Sequence, residues 1–92
     1  MIGTFKHKGL KAYFQKQDLS GIVPSHAARL DECLKILADA QSPRDLARDA
    51  HPMTRGSAME GLWAMRVSAQ WRLVFRIAGH GTCSEIDYRN YH

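Results

Sequence analysis

Five histidines and a set of late arginines carry most of the chemistry available to this sequence. Imidazole both gives and takes protons near neutral pH without large tuning of its pKa. His51 stands where two hydrophobicity patterns meet, and Pro52 after it stiffens the backbone. His92 closes a strand-like tail with Tyr88, Arg89, Asn90 and Tyr91, a stretch rich in groups that hydrogen-bond or transfer protons. His51 and His92 are therefore the candidates for proton transfer. His7 and His26 lie near helix starts and His80 lies between two glycines, so all three are expected on the surface.

The arginines enter through a hairpin. Pairing Val67 with Trp71 across Ser68-Ala69-Gln70 makes the apolar faces of two strands coincide and sets Arg66 opposite Arg72 on the other face. Facing like charges destabilise a sheet by a few tenths of a kcal/mol up to about 1 kcal/mol, so a compensating group is expected. Two kinds satisfy the pattern. One is Glu85 or Asp87 from the last strand; the other is a phosphate, which the planar guanidinium grips bidentately.

Other chemistries find little support. There is no glycine-rich phosphate loop, no His-Glu-x-x-His zinc helix and no Gly-x-Ser-x-Gly elbow. Trp63 and Trp71 keep strand spacing with apolar neighbours and read as core rather than base-stacking platforms. Cys33 and Cys83, fifty residues apart, form neither a metal-ligand pair nor a disulfide framework and read as buried small hydrophobes.

The elements that must position these groups follow from periodicity. Ile2 to Lys6 reads as a short first strand. Leu10, Tyr13 and Phe14 give one apolar helical face between Lys8 and Lys16. After a loop from Gln17 to Val23, Pro24 opens a longer helix to about Ala40, with Ala27, Leu30, Leu34, Leu37 and Ala38 on one face and Ile36 beside them. Ser42 is expected to cap a short helix over Pro43 to Arg48. Gly56 to Gly61 is a loop, and from there the period becomes 2: Trp63, Met65 and Val67 alternate with Leu62, Ala64 and Arg66, as do Trp71, Leu73, Phe75 and Ile77 with Gln70, Arg72, Val74 and Arg76. Gly79-His80-Gly81 turns the chain into a last strand over Thr82 to Tyr88, with Ile86 and Tyr88 on one side and Glu85, Asp87 and Arg89 on the other. The expectation is an α+β domain, its N-terminal strand and helices packed on one face of a small antiparallel sheet.

At 92 residues the chain makes one domain, and a domain of this size buries only about 60 to 65 percent of its unfolded surface, which excludes multidomain enzymes and large cofactor-binding folds. The formal charge of +4 is uneven. Residues 1 to 16 carry four lysines and no acid, residues 17 to 50 have a small acidic excess, and residues 51 to 92 carry five arginines against three acids. If the ends meet they form one positive surface suited to a phosphate-bearing or acidic partner. With no apolar run long enough for a membrane span and no signal peptide, a cytoplasmic protein is expected.

Taken together, Met1-Ile2-x-x-Phe5-Lys6-His7-Lys8-Gly9-Leu10-Lys11, Ser20-Gly21-Ile22 with Pro24, His51-Pro52-Met53, Gly61-x-Trp63, Trp71-Arg72-Leu73-x-Phe75-Arg76 and the ending Asp87-Tyr88-x-x-Tyr91-His92 resemble HigB-type toxins of the RelE/ParE superfamily. The resemblance spans essentially the whole chain. It implies a type II toxin that cleaves mRNA on the translating ribosome without a metal or other cofactor, and that is silenced in a hetero-oligomer with a HigA-like helix-turn-helix antitoxin. By the same resemblance His51 and His92 are the proton-transfer pair, Tyr91 orients the base or the hydroxyl, and Arg72 clamps the transition state. Lys8, Lys11, Lys16, Arg55 and Arg66 would contact RNA or the ribosome. Asn90 stands where the family commonly has an aspartate, and Thr54-Arg55 where a lysine usually follows His-Pro-Leu, so an enzyme weaker than its relatives is expected. The alternative is a ParE-like protein directed at gyrase, or a catalytically decayed binding protein.

Overall fold

His7 starts the first helix, α1 (Lys8–Lys16), by accepting the Leu10 N–H on Nδ1 at 3.0 Å, which satisfies one of the orphan amides of the first turn. Leu10 and Tyr13 then enter the core. Phe14, expected with them, stays 40% exposed at the edge of the core, where its ring meets Phe5 at 5.3 Å. The Tyr13 hydroxyl donates to Asp31 Oδ1 at 2.6 Å and so ties α1 to α2 (Ala27–Asp39). The carboxylate acceptor raises the Tyr13 pKa, since ionisation would sacrifice that bond.

Pro24 does not open α2 directly. Residues Pro24–His26 form a separate 3-10 turn, closed by the His26 N–H on the Val23 carbonyl at 2.8 Å, before the α-helix begins. Leu30, Cys33, Leu34 and Leu37 form the buried stripe; Ala38 turns out to be exposed. The expected third helix is likewise a 3-10 turn, Pro43–Leu46, and the Ser42 side chain does not cap it. Asp45 Oδ2 instead accepts the Gln41 N–H at 2.8 Å, bracing the turn from the other side.

The computed structural model describes residues 1–53 and 61–90, so the expected loop from Gly56 to Gly61 lies outside the described residues except for Gly61, as do Arg55, Tyr91 and His92. Four antiparallel strands, β1 (Ala50–Met53), β2 (Leu62–Arg66), β3 (Trp71–Ile77) and β4 (Cys83–Asn90), lie side by side in that order. Strand β1 has no period-2 signature and contains Pro52. It exists because it is an edge strand, where a missing N–H is tolerated. The N-terminal stretch touches the outer edge of β4 through two isolated parallel bridges, Ile2 with Cys83 and Phe5 with Ile86, in place of the continuous strand expected over Ile2 to Lys6.

A bulge sets the faces of β4. The register slips between Val74 and Arg76, and Glu85 adopts a left-handed φ of 52°. Cys83 and Ile86, three apart and out of phase in a regular strand, thereby both reach the core. The core lies between the helices and one sheet face, built on Leu10, Leu30, Leu37, Met65, Leu73 and Phe75. Trp63 and Trp71 pack against it half-buried, and Trp71 stacks on Tyr88 with centroids 4.3 Å apart. Cys33 and Cys83 are buried free thiols. Burial pushes the Cys33 thiol up to about 11.

One glycine pair accounts for two of the sequence's motifs. A Cβ on Gly9 would lie 2.5 Å from the Gly21 carbonyl oxygen, and one on Gly21 would lie 2.4 Å from Gly9 Cα, so α1 and the 3-10 turn Leu19–Gly21 meet backbone to backbone. No helix among the described residues is long and apolar enough to cross a membrane.

Candidate phosphate-binding face and catalytic residues

Side-chain alternation assigns the sheet two unlike faces. Met65, Leu73 and Tyr88, aligned across β2, β3 and β4, point to the helices and are buried. On the opposite face the neighbouring cross-strand row is Arg66, Arg72 and Arg89. The row on the other side of the core row is His51, Ala64, Val74 and Asp87. His51 is exposed on the edge strand. With strands about 4.8 Å apart and residues about 3.4 Å apart along them, its Cα lies about 8 Å from that of Arg66, about 12 Å from Arg72 and about 16 Å from Arg89.

The hairpin register matches expectation. The Val67 N–H donates to the Trp71 carbonyl at 3.0 Å, and Arg66 pairs with Arg72. The expected acidic compensation does not reach that pair. Glu85 binds Arg76 at 2.9 Å, because the bulge turns it away, and Asp87 binds the Nε of Arg89 at 2.7 Å. Strand β4 thus adds a third cation to the row. Arg72 Nη1 donates to the carbonyl oxygens of Ser68 at 2.7 Å, Trp71 at 3.1 Å and Ala69 at 3.4 Å, so the hairpin turn anchors its guanidinium. The backbone of Arg66 is held from the helical layer, where Arg29 Nε donates to its carbonyl at 3.0 Å. Its own side chain forms no ion pair among the described residues.

Among the described residues the basic ends do not make one surface. The N-terminal stretch bridges to β4, but Lys8, Lys11 and Lys16 are exposed on α1 in the helical layer, while the arginine row occupies the opposite face. Charge reaches the two sides of the sheet separately because α1 must bury Leu10 and Tyr13.

Two of the three histidines expected on the surface are structural. His7 is the half-buried cap of α1. His26 is half-buried, with Nδ1 2.5 Å from the Tyr88 hydroxyl, which also accepts the Val23 N–H at 3.4 Å. Burial raises the Tyr88 pKa, opposed by the Val23 bond. His80 is exposed as expected. Among the described residues no group of three or more His, Cys, Asp or Glu side chains is arranged to hold a metal ion.

Arg89 is the residue that sequence reasoning left out of the site. Its signal was present: once Tyr88 faces the core, Arg89 must face away from it, beside Arg72. What hid it was the unknown register between β3 and β4.

Residues 3–92 match the family described as the RelE-like toxin of type II toxin-antitoxin system HigB. The chain is 35% identical over 95 residues to Endoribonuclease HigB of Proteus vulgaris, with both sequences covered in full. Its fold is similar to that of the YoeB/ParE toxin from Agrobacterium tumefaciens, with a TM-score of 0.53 at 21% identity and full coverage of both chains. A sheet with one helical face and one basic face, matched along almost its whole length, places this chain in the HigB-like family of RelE-like toxins of type II toxin–antitoxin systems.

Proposed function

We propose that the protein is a ribosome-dependent mRNA endoribonuclease that works by acid–base catalysis and is neutralised by a HigA-like helix-turn-helix antitoxin. The observation that carries this reading is the opposed Arg66–Arg72 pair, which has no carboxylate partner among the described residues and shares one sheet face with an exposed histidine on the edge strand. The endoribonuclease named for the Proteus vulgaris relative supports it.

In this mechanism a base removes the proton from a ribose 2′-OH, the oxygen attacks the adjacent phosphorus, and an acid protonates the departing 5′-oxygen. The products are a 2′,3′-cyclic phosphate and a 5′-hydroxyl. His51 and His92 share the two proton transfers, and Tyr91 orients the base or the attacking hydroxyl. Arg72, its Nη1 anchored by the hairpin carbonyls, offers the rest of its fork to the phosphorane, whose charge exceeds that of the ground state. The lysines of α1 serve as contacts to ribosomal RNA, and Arg55 substitutes as a cation for the RNA phosphate.

The test is cleavage of a defined mRNA on purified ribosomes by protein with an untagged C-terminus, read by primer extension. His51→Ala and His92→Ala are each expected to lose about 100-fold or more. Equal cleavage by wild type and His92→Ala, or none by either, overturns the assignment. Gyrase inhibition in the absence of cleavage would select the ParE-like alternative.

A further inference from the structure

We infer that Arg89 completes a three-arginine track, Arg66–Arg72–Arg89, that binds two successive phosphates of a single RNA strand laid across β2, β3 and β4. The inference rests on the ribonuclease reading and extends it from the reacting phosphate to its neighbour.

The register places the three residues directly side by side on one face, so the track spans about 10 Å between its outer Cα atoms, two strand spacings. Long side chains that fan outward widen that reach, enough for two phosphates of an extended strand. A single phosphate cannot neutralise three guanidinium groups across this distance.

The individual environments differ in a way that suits the task. Arg72 is anchored at Nη1 by the hairpin carbonyls, and Arg89 is held at Nε by Asp87 Oδ2 at 2.7 Å. Asp87 is itself fixed, its Oδ1 accepting the Tyr88 N–H at 3.0 Å. Two of the three cations are thus pre-oriented by protein atoms. A guanidinium held in this way loses less side-chain entropy when it meets a phosphate. Asp87 pairs with Arg89, whereas Arg66 and Arg72 have no carboxylate partner among the described residues.

A non-cleavable 2′-O-methyl RNA oligonucleotide with a fluorescent label tests the track by anisotropy over a series of salt concentrations. Each phosphate contact on a single strand contributes about 0.7 to the slope of log K against log salt. Arg89→Gln is expected to lower that slope by about 0.7 and to weaken binding several-fold at low salt, while Arg89→Lys recovers part of the loss. Lys35→Gln, an equal change of charge on the exposed side of α2, is expected to match wild type. Binding by Arg89→Gln with wild-type affinity and slope overturns the inference, as does an equal effect of Lys35→Gln or failure of the wild type to bind. Ribosomal cleavage assayed in parallel separates the two levels. Wild type that binds the oligonucleotide through Arg89 but cuts no mRNA refutes the ribonuclease reading and leaves the track standing.

Discussion

Removing one arginine from the row should make the protein more stable and its RNA binding weaker at the same time. Arg66 faces Arg72 across the β2–β3 ladder, and neither Glu85 nor Asp87 neutralises the pair. Directly opposed like charges cost about 0.2–1 kcal/mol; Arg66 is exposed and solvent screens it, which puts the gain from Arg66→Gln near 0.5 kcal/mol. Glutamine keeps much of the aliphatic stem, so little packing is lost with the charge. For a domain of this size 1 kcal/mol moves Tm by about 4–8 °C, so the expected rise is about 2–4 °C. Calorimetry at about 0.02 M and about 1 M salt tests the cause, because the Debye length falls to about 3 Å at 1 M and the difference should vanish there. The anisotropy slope should drop by about 0.7 in the same variant. A lower Tm at low salt, or a rise that persists unchanged at high salt, would refute the claim that charge repulsion across the hairpin goes uncompensated.

Three further outcomes follow from the packing. Gly9→Ala drives a Cβ to 2.5 Å from the Gly21 carbonyl oxygen and should destabilise by about 1–3 kcal/mol in urea unfolding, despite the better helix propensity of alanine; equal or greater stability would show that α1 and the 3-10 turn can separate freely. Tyr88→Phe strips the hydroxyl from the Val23 N–H and from His26 and should cost about 1–2 kcal/mol, checked by the same unfolding curve, with no loss of the stack on Trp71. The Cys33 thiol is pushed up to about 11 from its ordinary 9.0, so the unfolded chain loses this proton first. Its contribution is complete below pH 9 and disappears as pH rises toward 11, at most about 2–3 kcal/mol. Cys33→Ala should flatten that alkaline decline, and a wild-type curve without the decline would contradict the burial of the thiol.

Long periodic segments were legible from the residues alone. The helical spacing of Leu30, Leu34 and Leu37 and the unbroken alternation from Trp71 to Ile77 each depend on one element burying one face, a local property of the chain. The Arg66–Arg72 pairing was legible for a related reason: a three-residue turn and two apolar stripes leave one register that buries both. The short pieces were not. Pro24–His26 and Pro43–Leu46 have helix-start residues but become 3-10 turns, and Ala50–Met53 is a strand only because β2 lies beside it.

The sequence by itself determined the α+β order of elements, the core stripes, the hairpin, and the identity of the groups able to move protons or hold phosphates. Tertiary structure decided which of those groups share a surface. It locked His26 onto Tyr88, assigned His7 to a helix cap, and drew Glu85 to Arg76 through a bulge that no periodicity announces. It also set Arg89 beside Arg72, and kept the lysines of α1 off that face. The reason is physical: alternation tells a strand which residues to bury, whereas the partner of each exposed residue depends on register between strands distant in the chain. Here that register converted two opposed arginines into a row of three.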